Sequence, residues 1–165
     1  KKKVNKKTKI CCTRKTTPNL RQLEKYAVKK GGGHNHRYNL SDEILIKDNH
    51  LQIAGSVKAA VELSREQNRN NLPIELEVDT LDQLREGLDM DVDGFLLDNM
   101  SPKLVQDAVT IIRSHPDGET IFVEASGGIN YDTLESYAWT GIDAVSMSAI
   151  TTQASAVDIK LEFIE

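Results

Sequence analysis

Cysteine is scarce in this sequence: Cys11 and Cys12 are the only two, and they are adjacent. Neighbouring cysteines are poorly placed to bond to each other, so no disulfide framework is expected, and a reducing, cytoplasmic setting fits best. No apolar run approaches the ~20 residues that a membrane-spanning helix needs. The lysine-rich start is not followed by the apolar stretch of a signal peptide. No Gly-Lys-Ser/Thr follows the triglycine at Gly31–Gly33, which excludes a Walker phosphate loop. His34 and His36 have no cysteine or third histidine at a convincing metal spacing, so zinc is rejected. No Ser–His–Asp order is visible, and the two cysteines read as strand residues rather than nucleophiles.

What remains is an ordinary globular composition. The 165 residues are 39% hydrophobic and 28% charged, enough for one domain with a real core. The net charge of −4 is unevenly spread. Lys1, Lys2, Lys3, Lys6, Lys7 and Lys9 crowd the first nine residues, so the remainder is more acidic than the net charge shows. Residues 1–9 are read as a solvated tail or fragment end, with no nucleic-acid or membrane partner expected. A basic cluster inside the acidic body is therefore informative.

Short apolar runs alternate with amphipathic helical stretches. The runs are Lys9–Thr13, Ile44–Lys47, Ile74–Val78, Gly94–Asp98, Ile121–Ala125, Ala144–Met147 and a seventh at Ile159–Phe163. Such runs flanked by helices argue for parallel strands with crossovers. A helix is expected after Pro18, with an apolar stripe of Leu20, Leu23 and Ala27 and a stop at Gly31–Gly33. Thr80 with Gln83 forms a capping box, Ser101-Pro102 reads as N-cap and first helical position, and Asn130 caps a helix that Gly141 ends. Repeated strand–helix units leave a doubly wound sheet or a barrel. Chemically loaded residues at the ends of several runs favour the barrel, whose site gathers at the C-terminal ends of its strands. The expected fold is thus α/β, an open-sided barrel of about six parallel strands.

The loaded motifs point to anions. Thr13-Arg14-Lys15-Thr16-Thr17-Pro18 follows a strand and joins two cations to three hydroxyls. Arginine grips a carboxylate or phosphate with two parallel bonds, and lysine adds a point charge. Gly31-Gly32-Gly33-His34-Asn35-His36-Arg37 reads as a polar loop closing on an anion. Lys47-Asp48-Asn49-His50 emerges from Ile44-Leu45-Ile46, as a turn or as a lysine meeting substrate. Glu75, Glu77 and Asp79 share one strand face, either a solvated edge or inward acids for magnesium or sugar hydroxyls. Asp98 repeats the pattern at a second strand tip. Glu124-Ala125-Ser126-Gly127-Gly128-Ile129 places small residues before a helix, where backbone N–H groups and the helix N-terminus suit phosphate. Basic groups with two or three acids imply a polyanionic ligand and a divalent metal.

Taken in order, Thr-Arg-Lys-Thr-Thr-Pro, Gly-Gly-Gly…Asn-His-Arg, Leu-Ile-Lys-Asp-Asn-His, Glu-Leu-Glu-Val-Asp, Leu-Leu-Asp-Asn-Met and Glu-Ala-Ser-Gly-Gly-Ile resemble the quinolinate phosphoribosyltransferases from about Ile10 onward. The resemblance implies a cytoplasmic homodimer that joins quinolinate to phosphoribosyl pyrophosphate, with Mg²⁺, giving nicotinate mononucleotide, pyrophosphate and CO₂ in NAD synthesis. It implies that Arg14, His36, Arg37 and Lys47 surround the quinolinate carboxylates and that Lys15 lies between the two substrates. Glu77 and Asp98 are implied to hold the ribose hydroxyls and the metal, making Lys15, Glu77 and Asp98 the catalytic set. Ser126, Gly127 and Gly128 match the 5′-phosphate loop.

Ser148 stands on the phosphate side where the family often has glycine, and is expected to crowd that backbone. Gln153 replaces a histidine common in bacterial members. The family also carries an N-terminal domain that is not found in residues 10–165; it covers the partner's barrel mouth and lends it an arginine. The chain alone is accordingly expected to fold, to bind phosphate-bearing ligands weakly and to turn over very slowly or not at all; the alternative reading is a catalytically incomplete binding or assembly fragment of the same fold. A paralogue associated with molybdenum transport shares the Arg-Lys-Thr and His-Arg motifs but lacks the Lys-Asp-Asn-His box. Nicotinate phosphoribosyltransferase needs fewer cations for its single carboxylate.

Overall fold

A computed structural model describes residues 7–163. Six strands form one sheet, every pairing parallel: β1 (Lys9–Cys11), β2 (Ile44–Ile46), β3 (Ile74–Val78), β4 (Gly94–Asp98), β5 (Phe122–Ser126) and β6 (Ala144–Ser146). Their order, β1-β6-β5-β4-β3-β2, is the cyclic order of a barrel left open between β1 and β2. Helices separate the strands: α1 (Arg21–Lys30), α2 (Asp48–Ala54), α3 (Val57–Gln67), α4 (Leu81–Leu88), α5 (Pro102–Arg113) and α6 (Leu134–Ala138), with α7 (Ala149–Thr152) after β6.

Side chains of successive strand residues point to opposite faces, and the register makes each face continuous. On one face Leu76 lies opposite Phe95, which lies opposite Val123; one step on, Val78, Leu97, Ala125, Val145 and Ile10 line up. Most are fully buried, and with Val61, Leu84, Val105 and Ile112 from the helices they form the core. On the other face Glu77 lies opposite Leu96, then come Glu124, Ala144 and Lys9. The apolar core therefore sits outside the sheet, beneath the helices, and the inner face is polar.

Local signals set the helix ends. Thr80 Oγ1 accepts from Gln83 N–H at 3.2 Å while Gln83 Oε1 accepts from Thr80 N–H at 3.2 Å, completing the expected capping box. Ser101 Oγ accepts from Leu104 N–H at 3.3 Å ahead of Pro102. From there α5 buries Val105, Ala108, Val109 and Ile112, a spacing that keeps one stripe on the core. The Asn130 side chain caps a turn, accepting from Thr133 N–H at 3.1 Å, and α6 follows it.

Three expectations are corrected. In α1 the buried residue is Lys25, whereas Leu20, Leu23 and Ala27 are exposed. This helix covers the polar open side of the barrel, so its inward stripe carries Arg21 and Lys25 instead of leucines. Ile159–Phe163 is not a strand: residues 154–163 have no regular structure, and Val157, Ile159, Leu161 and Phe163 are exposed. Alternation supplies a strand-like pattern, but a strand also needs a neighbour to bond to, and none pairs with it among the described residues. The lysine-rich tail at Lys1, Lys2, Lys3 and Lys6 lies outside the described residues. Lys9 is no tail residue; it opens β1 and sets its ammonium 5.8 Å from the Phe122 ring.

Candidate active site

All eleven residues singled out in the sequence line one cavity of about 620 Å³ at the C-terminal ends of the strands. Arg14 and Lys15 come from the turn after β1, Lys47 from the end of β2, Glu77 from β3, Asp98 from the tip of β4, and Ser126, Gly127 and Gly128 from the end of β5. Ser148 closes the ring after β6. His36 and Arg37 lie at the open side, in a segment that bridges to β1: His34 pairs with Cys11, and Cys12 N–H donates to His34 O at 3.0 Å. Cations thus flank the opening, and acids and glycines face them across the mouth.

Two basic residues that the motifs did not reveal hold this arrangement. Lys25 is fully buried; its ammonium donates to His36 O at 2.8 Å, lies 3.3 Å from Cys12 Sγ and sits 4.8 Å from the Tyr38 ring centroid. Arg21 donates to Thr16 Oγ1, to Tyr38 O and to Arg14 O, each at 3.1 Å. Together they tie the Arg14-Lys15 turn to the His36-Arg37 segment. Thr151 Oγ1 donates to Lys15 O at 2.8 Å, adding a tie to α7. A lysine and an arginine four residues apart on a helix flanked by polar loops is the only sequence signal for this role.

The acids are buried rather than solvated. Glu75 and Glu77 are each 6% exposed, while Asp79 is exposed, so the inward reading holds for the first two. The Glu77 carboxylate contacts the Lys47 ammonium. Burial pushes Glu77 up from the ordinary carboxylate range against the pull of Lys47. Burial also raises Asp98, opposed by Lys47 and Lys15. Asp98 shares Glu77's inward face because Glu77 lies opposite Leu96, two residues before it. Two hard oxygen donors on adjacent strands facing one cavity fit a magnesium ion, which takes one or two carboxylates and keeps its other ligands as water or phosphate oxygens. Burial and the nearby Glu124 raise the Cys11 thiol to about 12, so it is no thiolate nucleophile.

The glycine loop is shaped by need. Gly127 has φ +90, and a Cβ there would stand 2.3 Å from Asn99 Oδ1; Gly128 has φ +62 and opens onto free space. Asn99 N–H donates to Ser126 O at 3.0 Å, locking the β4 and β5 tips together. The helix after this loop starts only at Leu134 and is five residues long, so the loop backbone, not a helix N-terminus, faces the cavity. Ser148 has φ −71 and ψ −20, a conformation open to any residue, and its backbone is not strained.

Beneath the mouth the same face encloses a second cavity of about 530 Å³, lined by residues including Lys9, Glu43, Glu75 and Phe122 and shared at His36, Arg37 and Glu124. His36, Glu43 and Glu75 bring one ligand atom each within 4.8 Å of one another. Yet His36 Nδ1 accepts Arg37 N–H at 2.8 Å and Nε2 lies 3.2 Å from Glu124, leaving no nitrogen free for a metal. Glu124, 1% exposed, was visible in the sequence only as the start of the glycine motif, two places from Ser126 on the same face.

Residues 1–162 match the family model described as quinolinate phosphoribosyl transferase, C-terminal domain. The chain is 42% identical to a probable nicotinate-nucleotide pyrophosphorylase (carboxylating) of Methanocaldococcus jannaschii, over 99% of this chain and 58% of the relative. It is 40% identical to the protein of that name from Bacillus subtilis, over 93% of this chain and 52% of the relative. The crystal structure of NadC from Streptococcus pyogenes superposes with a TM-score of 0.85 at 40% identity, over 93% of this chain and 52% of that one. The chain therefore spans between half and three-fifths of the length of these proteins.

Proposed function

We propose that this chain, which belongs to the quinolinate phosphoribosyl transferase family, carries the site where quinolinate meets phosphoribosyl pyrophosphate to give nicotinate mononucleotide, pyrophosphate and CO₂. The observation that carries this reading is the convergence of cations, buried acids and a glycine loop from all six strand ends and the open side on one cavity. Three cations, Arg14, Arg37 and Lys47, with the imidazole of His36, suit a diacid better than a single carboxylate. Lys15 lies between them and the phosphate side. Ser126, Gly127 and Gly128 offer the 5′-phosphate a loop backbone that is open at Gly128, with Ser148 completing that side.

The chemistry needs no protein nucleophile. The pyridine nitrogen forms the bond to the ribose anomeric carbon as the bond to pyrophosphate breaks. The sugar gains positive charge in that transition state, and Glu77 and Asp98 are placed to stabilise it. Mg²⁺ held by Glu77 and Asp98 would neutralise charge on the leaving pyrophosphate. Ribosylation makes the ring cationic, so the C2–carboxylate bond breaks with its electron pair kept beside N⁺, and a proton then replaces CO₂. The cations orient the diacid for this sequence.

The reading includes a homodimer in a cytoplasmic setting. Leu20, Leu23 and Tyr26 are exposed at and along α1, and Tyr38 and Leu40 are exposed in the segment that follows it, apolar surface that suits a partner. Both cysteines are free, in keeping with a reducing environment. Substituting Lys47→Ala tests the diacid assignment. It should weaken quinolinate binding by ~1.5–3 kcal/mol, the cost of one charged hydrogen bond, with the unfolding midpoint little changed. Unchanged quinolinate affinity by calorimetry would remove Lys47 from the site.

A further inference from the structure

His36 and Glu124 form the wall between the two cavities of the inner face, since both line each of them. Glu124 is 1% exposed, neither of its carboxylate oxygens has a hydrogen-bond partner of good geometry, and the His36 ring faces it with Nε2 3.2 Å from Oε2. Arg37 N–H occupies the lone pair of His36 Nδ1 at 2.8 Å, which places the proton of the neutral ring on Nε2, facing Glu124. In that state Nδ1 presents an acceptor, and an acceptor repels a carboxylate. A second proton, on Nδ1, turns it into a donor.

We propose that Glu124 is a positioning residue that stores charge for His36, so that binding of the diacid is coupled to uptake of a proton by the imidazole. The inference rests on the quinolinate reading above. Glu124 balances the imidazolium from below, and the incoming carboxylate accepts the new Nδ1–H in place of the Arg37 N–H bond. The groups facing the ring are Glu124 from β5, Glu75 from β3 at 3.7 Å, Glu43 from the segment before β2 at 3.7 Å from Nδ1, and Arg37 beside it; Lys25 holds the His36 carbonyl. Burial lowers the affinity of the ring for its second proton, but the bond to Glu124, its charge and that of Glu43 outweigh burial and the opposing Arg37, and the balance is upward. The signs agree: two negative neighbours favour the charged ring, and a dianionic ligand adds to them.

The test is calorimetric titration of quinolinate into the chain in buffers of different ionisation enthalpy, above the His36 midpoint. Wild type should take up a fraction of a proton per quinolinate bound. Phosphoribosyl pyrophosphate, whose phosphates meet the opposite side, should show no uptake assigned to His36. Glu124→Gln keeps the size and the acceptor but removes the charge. It should abolish the uptake, lower the His36 midpoint read by NMR of the labelled imidazole, and weaken quinolinate binding ~10-fold, the loss of one charged hydrogen bond. No proton uptake in wild type, or equal uptake in Glu124→Gln, overturns the coupling. Failure of wild type to bind quinolinate would overturn the functional reading instead. In that case the ring titration still decides the dyad: equal His36 midpoints in wild type and Glu124→Gln refute it. The wild-type measurement stands even if the variant misfolds.

Discussion

The two faces of one sheet differ in character, although they alternate residue by residue along the same strands. In β3, Ile74, Leu76 and Val78 enter the core while Glu75 and Glu77 turn inward; in β5, Val123 and Ala125 enter the core while Glu124 and Ser126 turn inward. Barrel interiors are more often filled by Val, Ile and Leu. Here the interior holds acids and small residues among a few apolar ones such as Leu45, Leu96 and Phe122 and leaves two cavities, so folding energy is drawn mainly from the outer layer and the inner face is open to chemistry. A one-residue slip of register would exchange the faces and expose the whole core set to the cavity. Stability and binding should therefore respond to different residues of the same strand.

The largest effect should come from the outer layer. Phe95 is fully buried between the β3 and β5 side chains and α4, and Phe95→Ala should cost ~3–5 kcal/mol in urea unfolding. Ligand affinity of the molecules still folded should stay as in wild type. A large loss of affinity without a loss of stability would break the division between faces.

Next comes the inner face. Asp98→Asn keeps shape and removes charge, and turnover should fall ~10²-fold, the scale for one electrostatic contact in a transition state. Because burial holds the Asp98 carboxyl above its ordinary range, its charged form is disfavoured by the fold, and the variant should melt no lower than wild type. Magnesium-dependent turnover at the wild-type rate would remove Asp98 from the mechanism.

The smallest and sharpest effect concerns Glu75. Burial, with Glu124 and Glu43 nearby, holds it well above the ordinary range. The unfolded carboxyl loses its proton at about 4.3, the folded one later. Stability from this group is therefore fully present below the ordinary value and is lost as the pH rises through the folded one. Glu75→Gln should match wild type in acid and exceed it in melting temperature at neutral pH. Parallel curves for the two proteins would contradict this.

These contrasts explain what could be read in advance. Ile74–Val78 and Gly94–Asp98 were legible to the residue, the first because its acids alternate with apolar residues and so specify its faces, the second because it is a short apolar run bounded by turns. The capping pairs at Thr80 and Ser101 were legible because they act within four residues. The eleven candidate residues could be read as a set that gathers on one cavity because nine of them sit beside a strand end and His36 and Arg37 share one polar, glycine-led loop. Lys25 was not, since a lysine on a helix is ordinarily solvated and its partners Cys12 and His36 lie in other segments. The Glu124–His36 contact depends on the curved sheet setting β5 across the interior from the segment at the open side, and no local pattern announces it. Ile159–Phe163 shows the opposite error, a local pattern with no partner strand. Helix α2 was passed over because Lys47-Asp48-Asn49-His50 resembles a turn; Lys47 in fact caps α2, its N–H donating to His50 Nδ1 at 2.8 Å.

The central claim is that ligands meet the inner face at the strand tips and nothing else. Backbone amide shifts of the isotope-labelled chain, followed while quinolinate and then phosphoribosyl pyrophosphate with Mg²⁺ are added, test it most directly. The account predicts that quinolinate moves His36, Arg37 and Lys47, that phosphoribosyl pyrophosphate moves Ser126, Gly127, Gly128 and Asp98, and that outer-layer residues such as Leu76 and Val123 stay still. Saturating ligand with no shifts at these tips, or with shifts confined to the helical exterior, would contradict it.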